Sequence, residues 1–398
     1  MGEVRNKSCP YIRQCGGCAS IGKPYSVTLK EKEEEVRKHL KPYADLKGIV
    51  GMEDPYCYRN KIHRVCSFEH IGKRTEALSG IYAEGTHKVI PVKRCLIEDE
   101  AAAPILASVI ELAKSFRYPF YDEDVRRGLL RHILIRTAHK TGQVMVVLVL
   151  SSPVLPGKSH FIKALCEKHP EITTIVINVN DKPGPYILGE KESAAYGKGY
   201  IEDELCGRIF RISPHSFYQV NSVQTERLYG KAVELAGLNG SQIVLDAYCG
   251  IGTIGLIASG RAKEVIGVES NRSAVRDAIN NAKRNHVTNI TFCEADAGKF
   301  LSQMAAGTSE AAGRDKKERK ADVLFMDPPR SGSSEEFLSA AVSASPKTIV
   351  YISCNAETLA RDLRFLTKRG YSTRDAWAFD MFPWTKHTEV CIKLERKR

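Results

Sequence analysis

Apolar positions fall along the chain in three successive regimes. Up to about Ile21 there is little apolar periodicity and an excess of cysteine, after which a charged helical pattern runs from Tyr25 to Leu40 and stops at Lys41-Pro42. From about Tyr43 to Gly207, strand-like runs at His132–Thr137, Val144–Leu150 and Ile172–Val179 mix with a helical stretch over Asp99–Ser115. This predicts a central α+β region. Beyond Arg208 the rhythm turns regular, with apolar strands at Ile243–Leu245, Glu264–Val268, Ile290–Cys293, Val323–Met326 and Thr348–Ile352 separated by helical patterns, and Val390–Leu394 reads as the last strand. Such alternation predicts a doubly wound parallel sheet. The expected organisation is therefore α/β, with a small cysteine lobe over 1–25 completed by Cys95, a central α+β region over 26–208, and the doubly wound domain over 209–398. Ala306–Lys320, rich in Gly, Ala and alternating charge, reads as a mobile surface insertion.

Composition narrows the classes. With 398 residues, 43% hydrophobic and 27% charged, the chain is long enough for two or three real cores and is neither disordered nor fibrous. The longest apolar run near its middle, Val144–Leu150, falls well short of the ~20 residues that span a bilayer, so no membrane partner is expected. The N-terminus lacks a secretory pattern, which predicts a cytoplasmic protein whose twelve cysteines are thiols, metal ligands or nucleophiles. Lys and Arg exceed Asp and Glu by twelve, and an excess of that size favours a polyanion, with nucleic acid the first candidate.

Three motifs carry chemistry. After the strand Ile243–Leu245 comes Asp246-Ala-Tyr-Cys-Gly-Ile-Gly-Thr-Ile-Gly255, whose Gly250, Gly252 and Gly255 let backbone approach a nucleotide-like ligand before a helix begins. Glu269 closes the next strand, where a carboxylate can accept from two ribose hydroxyls. Nicotinamide and S-adenosylmethionine both fit this much. The second motif, Asp327-Pro-Pro-Arg-Ser-Gly332, forces a rigid extended turn at the carboxyl end of a strand, where open α/β sheets hold ligands. A dehydrogenase seldom needs it, whereas a methyltransferase uses an acid-Pro-Pro turn to press a planar base against the methyl donor. Third, Thr348–Asn355 delivers Cys354 at the same edge. Carbon 5 of uracil is a poor nucleophile until something adds to carbon 6, and a thiolate is the natural adduct-former. Glu389, just before the last strand, is the candidate base for the carbon-5 proton, with His387 the runner-up.

Taken with Ser216-Phe-Tyr-Gln-Val-Asn221 and His387-Thr-Glu-Val390, these motifs give the C-terminal half a close resemblance to the RNA uracil-5 methyltransferase family. The resemblance implies a Rossmann-like class I methyltransferase domain that uses S-adenosyl-L-methionine. It also implies that Gln219, Tyr248, Gly250, Gly252, Thr253, Glu269, Asp296 and Asp327 line the donor site, with Cys354 as nucleophile and Glu389 as proton acceptor. Phe217 and Tyr218 are candidates to stack on a base. No obligate protein partner is implied.

Cys9, Cys15 and Cys18 stand as C-x5-C-G-G-C, with Cys95 a distant fourth, and this resembles the 4Fe-4S site of the ribosomal RNA members. Zinc held by four thiolates is the alternative. On this resemblance the expected substrate is a uridine in 23S ribosomal RNA, with transfer RNA as the alternative, and the small RNA-binding β-barrel of longer members is not expected before the cysteine cluster. RNA contacts are then sought in Tyr58-Arg-Asn-Lys61 and Arg131-His-Ile-Leu-Ile-Arg136, which interleave basic with aromatic or apolar residues. Cys57, Cys66, Cys166, Cys206, Cys249, Cys293 and Cys391 read as packing.

Overall fold

The computed structural model describes residues 6–71, 74–184, 186–307 and 320–397. Its strands in chain order are β1 (Asp45–Val50); β2 (Lys61–Ile71), β3 (Arg74–Tyr82), β4 (Val89–Pro91), β5 (Leu130–Thr137), β6 (Val144–Leu150), β7 (Ile172–Val179) and β8 (Lys191–Tyr196) of a central sheet; β9 (Ile201–Leu205) and β10 (Arg208–Ile212) of a two-stranded ribbon; and β11 (Ile243–Ala247), β12 (Glu264–Glu269), β13 (Ile290–Glu294), β14 (Val323–Met326), β15 (Thr348–Ser353), β16 (Tyr371–Phe379) and β17 (Glu389–Arg396). The last seven join β1 in an eight-stranded sheet ordered β1-β16-β17-β15-β14-β11-β12-β13.

Two features of that sheet depart from the sequence reading. It is not wholly parallel: β17 runs antiparallel to both β15 and β16, while the remaining neighbours pair parallel. The reason is the connection Asp380–Thr388 between β16 and β17, which is too short for a crossover helix, and parallel neighbours need one of about a dozen residues or more. The second departure is β1, which comes from the N-terminal third yet pairs in parallel with β16, Asp45 opposite Asp375 and Val50 opposite Phe379. The helix Tyr25–Leu40 that precedes it, formed as its periodicity predicts, buries Tyr25, Thr28, Lys32, Val36 and Leu40 along one stripe. Residues 25–50 therefore complete the C-terminal sheet rather than the central one.

Helices cover the large sheet on both faces. Val36, Leu40, Phe300, Leu301, Phe337, Leu338, Leu359 and Leu363 pack on one side, and Leu228, Ala232, Ile254 and Leu256 on the other. The central sheet, ordered β4-β3-β2-β5-β6-β7-β8, is backed by the helices Ala102–Ser115 and Lys158–Lys168. Its opposite face, through Leu134, Met145, Val147 and Val149, joins the core that holds Phe210, Tyr218 and Val244. Covered on both sides, β5 is buried at every position.

That burial corrects the expected RNA strip. Arg131 donates to the carbonyls of Asn180 and Lys182, and Arg136 to those of Ser213 and Ser216. His132 is buried, as are Tyr58, whose hydroxyl donates to the Pro383 carbonyl, and Asn60. Over Arg131–Arg136 the interleaved basic and apolar residues mark a covered strand with polar anchors, not an exposed face, whereas Arg59 and Lys61 are only partly buried. Residues 308–319, most of the expected insertion, lie outside the described residues. No helix among those described is long and apolar enough to cross a membrane.

Candidate active site

Parallel strands bring the motifs to one edge. β11, β14 and β15 all point the same way, so Asp246-to-Gly255, Asp327 and Cys354 emerge at their carboxyl ends. Reversal of β17 brings its first residue to that same edge. Ser353 lies opposite Val390, and Cys354 and Glu389, each one residue beyond that pair, are close enough for the Glu389 charge to help raise the Cys354 thiol.

The glycine turn is built for close approach. Gly252 sits at φ +83° with its missing Cβ only 2.6 Å from the Phe292 ring, so a side chain is excluded by both conformation and space. Gly250, at φ +56°, faces open space where a Cβ would meet nothing within 4 Å. Its N–H donates to Glu269 Oε2 at 3.1 Å, and the N–H of Asn271 donates to Oε1 at 2.8 Å. Glu269 thus braces the turn, Oε1 also accepting from Ser270 Oγ at 3.3 Å, while Oε2 keeps a lone pair for a ligand hydroxyl. Asp246, buried beneath, accepts from the Gly255 N–H at 2.8 Å, and burial pushes its carboxyl up to about 7. Tyr248, itself at φ +64°, packs its ring on Phe337 at 5.1 Å. Thr253 opens the helix that follows. These residues fit an adenosyl ligand: a glycine surface open to backbone approach, an acid beside it, and an aromatic flank.

The other predicted donor-site residues divide. Asp296 is exposed and caps the helix Ala297–Ala305 by accepting from the Lys299 N–H at 2.9 Å, yet it lies near enough for its charge to help raise the Tyr248 hydroxyl. Gln219 hydrogen-bonds the buried Tyr229 hydroxyl, whose surroundings include Asp327, Glu389 and Asp246. Tyr218 is buried with its hydroxyl on Asp203, so it is a structural residue, whereas Phe217 beside it is 67% exposed.

Around Cys354 the electrostatics are acidic. Burial and then the charge of Asp327 hold the Glu389 carboxyl well above the usual carboxylate range, and burial raises Asp327 too. Like charges in a desolvated site cannot both ionise cheaply. Burial, Glu389 and Asp327 also push the Cys354 thiol up to about 11, opposed by Arg330. A cavity of about 290 Å³ opens beside Cys354, lined by Lys32, His39, Arg330, Asn355, Lys386 and His387 among others. His387, which lines this cavity, is partly exposed and its pKa is lowered by burial, whereas Glu389 is buried. Sequence reasoning did not single out Tyr229, Arg330 or Lys32. Arg330 lay inside a quoted motif, but Tyr229 and Lys32 sit on helix stripes that look like ordinary packing positions.

Cys9, Cys15, Cys18 and Cys95 border one small cavity of about 30 Å³ together with Ile21, Val92 and Ile97. Gly16, at φ +67°, has its Cβ position 2.6 Å from Glu84, and that of Gly17 lies 3.2 Å from Cys15 Sγ, so the turn wraps more tightly than side chains would permit. Among the described residues no group of three or more His, Cys, Asp or Glu is arranged to hold a metal ion. A single tetrahedral zinc would draw its thiolates to about 3.8 Å from one another. Of the remaining cysteines, Cys66, Cys249 and Cys391 are buried.

Comparison with known proteins follows from this geometry. Residues 190–397 match the family described as tRNA (uracil-5-)-methyltransferase. An uncharacterized RNA methyltransferase of Caldanaerobacter subterraneus is 40% identical over 98% of this chain and 84% of its own length, and another from Halalkalibacterium halodurans is 39% identical over 98% and 83%. Among solved structures, the Pyrococcus abyssi tRNA (uracil-54, C5)-methyltransferase in complex with S-adenosyl-L-homocysteine superposes with a TM-score of 0.77 at 26% identity, covering 98% of this chain and 87% of that one.

Proposed function

The chain belongs to the tRNA (uracil-5-)-methyltransferase family, and from the closeness of Cys354 to Glu389 at the carboxyl edge of the sheet we propose that it methylates carbon 5 of an RNA uridine through a covalent cysteine adduct. S-Adenosyl-L-methionine, when bound on the glycine turn, supplies the electrophilic methyl group. Everything else is done by the chain's own residues. Cys354 loses its proton to solvent and its thiolate adds to carbon 6 of the flipped uracil, leaving carbon 5 with the electron pair of the former double bond. After carbon 5 is methylated, Glu389 removes its proton. The electron pair of that C–H bond restores the double bond and expels the Cys354 thiolate. A carboxylate held above its usual range by burial and by Asp327 is the stronger base for that step. Arg330 is the cation that favours the thiolate.

A uridine of 23S ribosomal RNA is the target we favour, on the cysteine pattern that resembles the ribosomal members. Transfer RNA is the second reading, favoured by the substrate named for the Pyrococcus abyssi protein. The same pattern supports a 4Fe-4S cluster on Cys9, Cys15, Cys18 and Cys95, which border one cavity. An excess of twelve basic residues suits a cytoplasmic enzyme working on RNA. The deciding experiment is trapping with 5-fluorouridine RNA. A stable adduct with the parent protein and none with Cys354→Ala is the expected result; an adduct undiminished in Cys354→Ala overturns the assignment. Methyl transfer to ribosomal fragments against transfer RNA separates the two substrates.

A further inference from the structure

Arg59, Lys61 and Arg136 form a cluster of positive charge in which no member is paired with a carboxylate, Arg59 also acting on the Cys18 thiol. Lys61 on β2 lies directly opposite Arg136 on β5, so both side chains leave the same face of the central sheet. Arg59 folds back to donate from Nε to the Lys61 carbonyl at 3.1 Å. Among the described residues no carboxylate forms an ion pair with any of the three, and the Lys61 ammonium has no hydrogen-bond partner. Arg136 is 2% exposed and one of its guanidinium nitrogens, Nη2, is left without a partner. Burial first, and then the charges of Arg136 and Arg59, lower the Lys61 ammonium to about 8. Leaving like charges together costs stability, and the arrangement makes sense where an anion arrives to neutralise it.

Where the cluster sits says which anion. Arg136 Nη1 donates to the carbonyls of Ser213 and Ser216 at 2.8 and 2.6 Å, and the Asn60 side chain donates to the Gln219 carbonyl at 3.0 Å while its N–H donates to the Val220 carbonyl. Arg136 and Asn60 therefore anchor the loop that presents exposed Phe217 and the site residue Gln219, and Arg59 and Lys61 flank Asn60 in the sequence. A cationic strip beside an exposed aromatic is the pairing that holds a single strand, charge on the backbone and a ring on a base. We propose that Arg59 and Lys61, backed by Arg136, bind a phosphodiester of the RNA strand flanking the target uridine. This rests on the uracil-5 reading for the identity of the polymer, and on the unbalanced cations for the site.

The test is the salt dependence of binding to a single-stranded uridine-containing oligoribonucleotide. Removing one cation that neutralises a phosphate lowers the slope of log affinity against log salt by about 0.7 on single strands. Lys61→Met and Arg59→Met should each bind several-fold more weakly with a slope reduced by that amount, while Lys61→Arg keeps the parent slope. Retained S-adenosyl-L-homocysteine binding and thermal transition show that the variants are folded. Salt titrations of Lys61→Met and Arg59→Met that superimpose on the parent overturn the site. The 5-fluorouridine trap keeps the two readings apart: a parent adduct with unchanged slopes removes the phosphate site alone, and reduced slopes with no adduct remove the chemistry alone.

Discussion

Lys32 and Asp380 meet as a buried ion pair, Nζ to Oδ1 at 2.5 Å, across 348 residues of sequence. Lys32 also donates to the carbonyls of Phe382 and His387, and the Tyr25 hydroxyl donates to Asp380 Oδ2 at 2.7 Å. The N-terminal helix thereby clamps the connection that ends at Glu389. Removing one partner of such a pair strands a buried charge, at a cost of about 3–5 kcal/mol. Lys32→Met should show that loss in denaturant unfolding, and Lys32→Met/Asp380→Asn should recover most of it. If the double variant is no more stable than the single one, the pair is not what holds the connection.

Much of the site was legible because parallel strands carry their own signposts. Asp327 and Cys354 each follow a short apolar run, and both runs end at the same edge. Glu389 reaches that edge for a reason the pattern does not contain. In a wholly parallel sheet, a residue preceding the last strand would lie at the opposite edge. Only the tight return from β16, a strand whose burial alternates irregularly, turns β17 around. Nor does local pattern reveal that β1 pairs with β16, since that contact joins the two ends of the chain. Arg131 and Arg136 misled for a different reason: arginines on a strand covered on both faces look like exposed ones until their carbonyl acceptors are known.

Glu389→Gln should form the adduct but fail to resolve it. The amide keeps the shape of the carboxyl and loses the capacity to take the carbon-5 proton, so methylated RNA accumulates on Cys354. Denaturing electrophoresis with labelled RNA reads this directly. Release of methylated RNA at the parent rate would assign the proton to another group.

Adduct formation should accelerate as pH rises through neutrality. With the Cys354 thiol near 11, the thiolate fraction grows about tenfold per pH unit below that value. Because Arg330 opposes the upward shift, Arg330→Met should slow single-turnover adduct formation by about three- to tenfold near pH 7.5 and move the profile to higher pH. A profile unchanged in that variant removes Arg330 from thiolate stabilisation.

Two glycines of one turn should fail in different ways. Gly252→Ala sets a Cβ against Phe292 in a left-handed conformation and should cost about 1–3 kcal/mol of stability. At Gly250 the Cβ would enter open space, so Gly250→Ala should cost only about 1 kcal/mol while weakening S-adenosyl-L-homocysteine at least about tenfold, measured by calorimetry. Equal affinity in Gly250→Ala and the parent would mean that the ligand does not approach this backbone.

The cysteine lobe should be tied to the catalytic connection through Trp384. That residue is fully buried, donates from its indole to the Pro55 carbonyl at 2.9 Å, stacks on Tyr56 at 5.2 Å, and accepts at its own carbonyl from the Ser20 N–H at 3.0 Å. Cys9, Cys18 and Cys95 pack against the same cluster. Protein purified without oxygen should carry about four irons per chain with broad absorbance of iron–sulfur character, and Cys95→Ser should lose both. Loss of the cluster should loosen the lobe and shift Trp384 fluorescence to the red, with Trp377→Phe isolating the signal. About one zinc per chain in place of iron would instead assign the four thiolates to a tetrahedral ion.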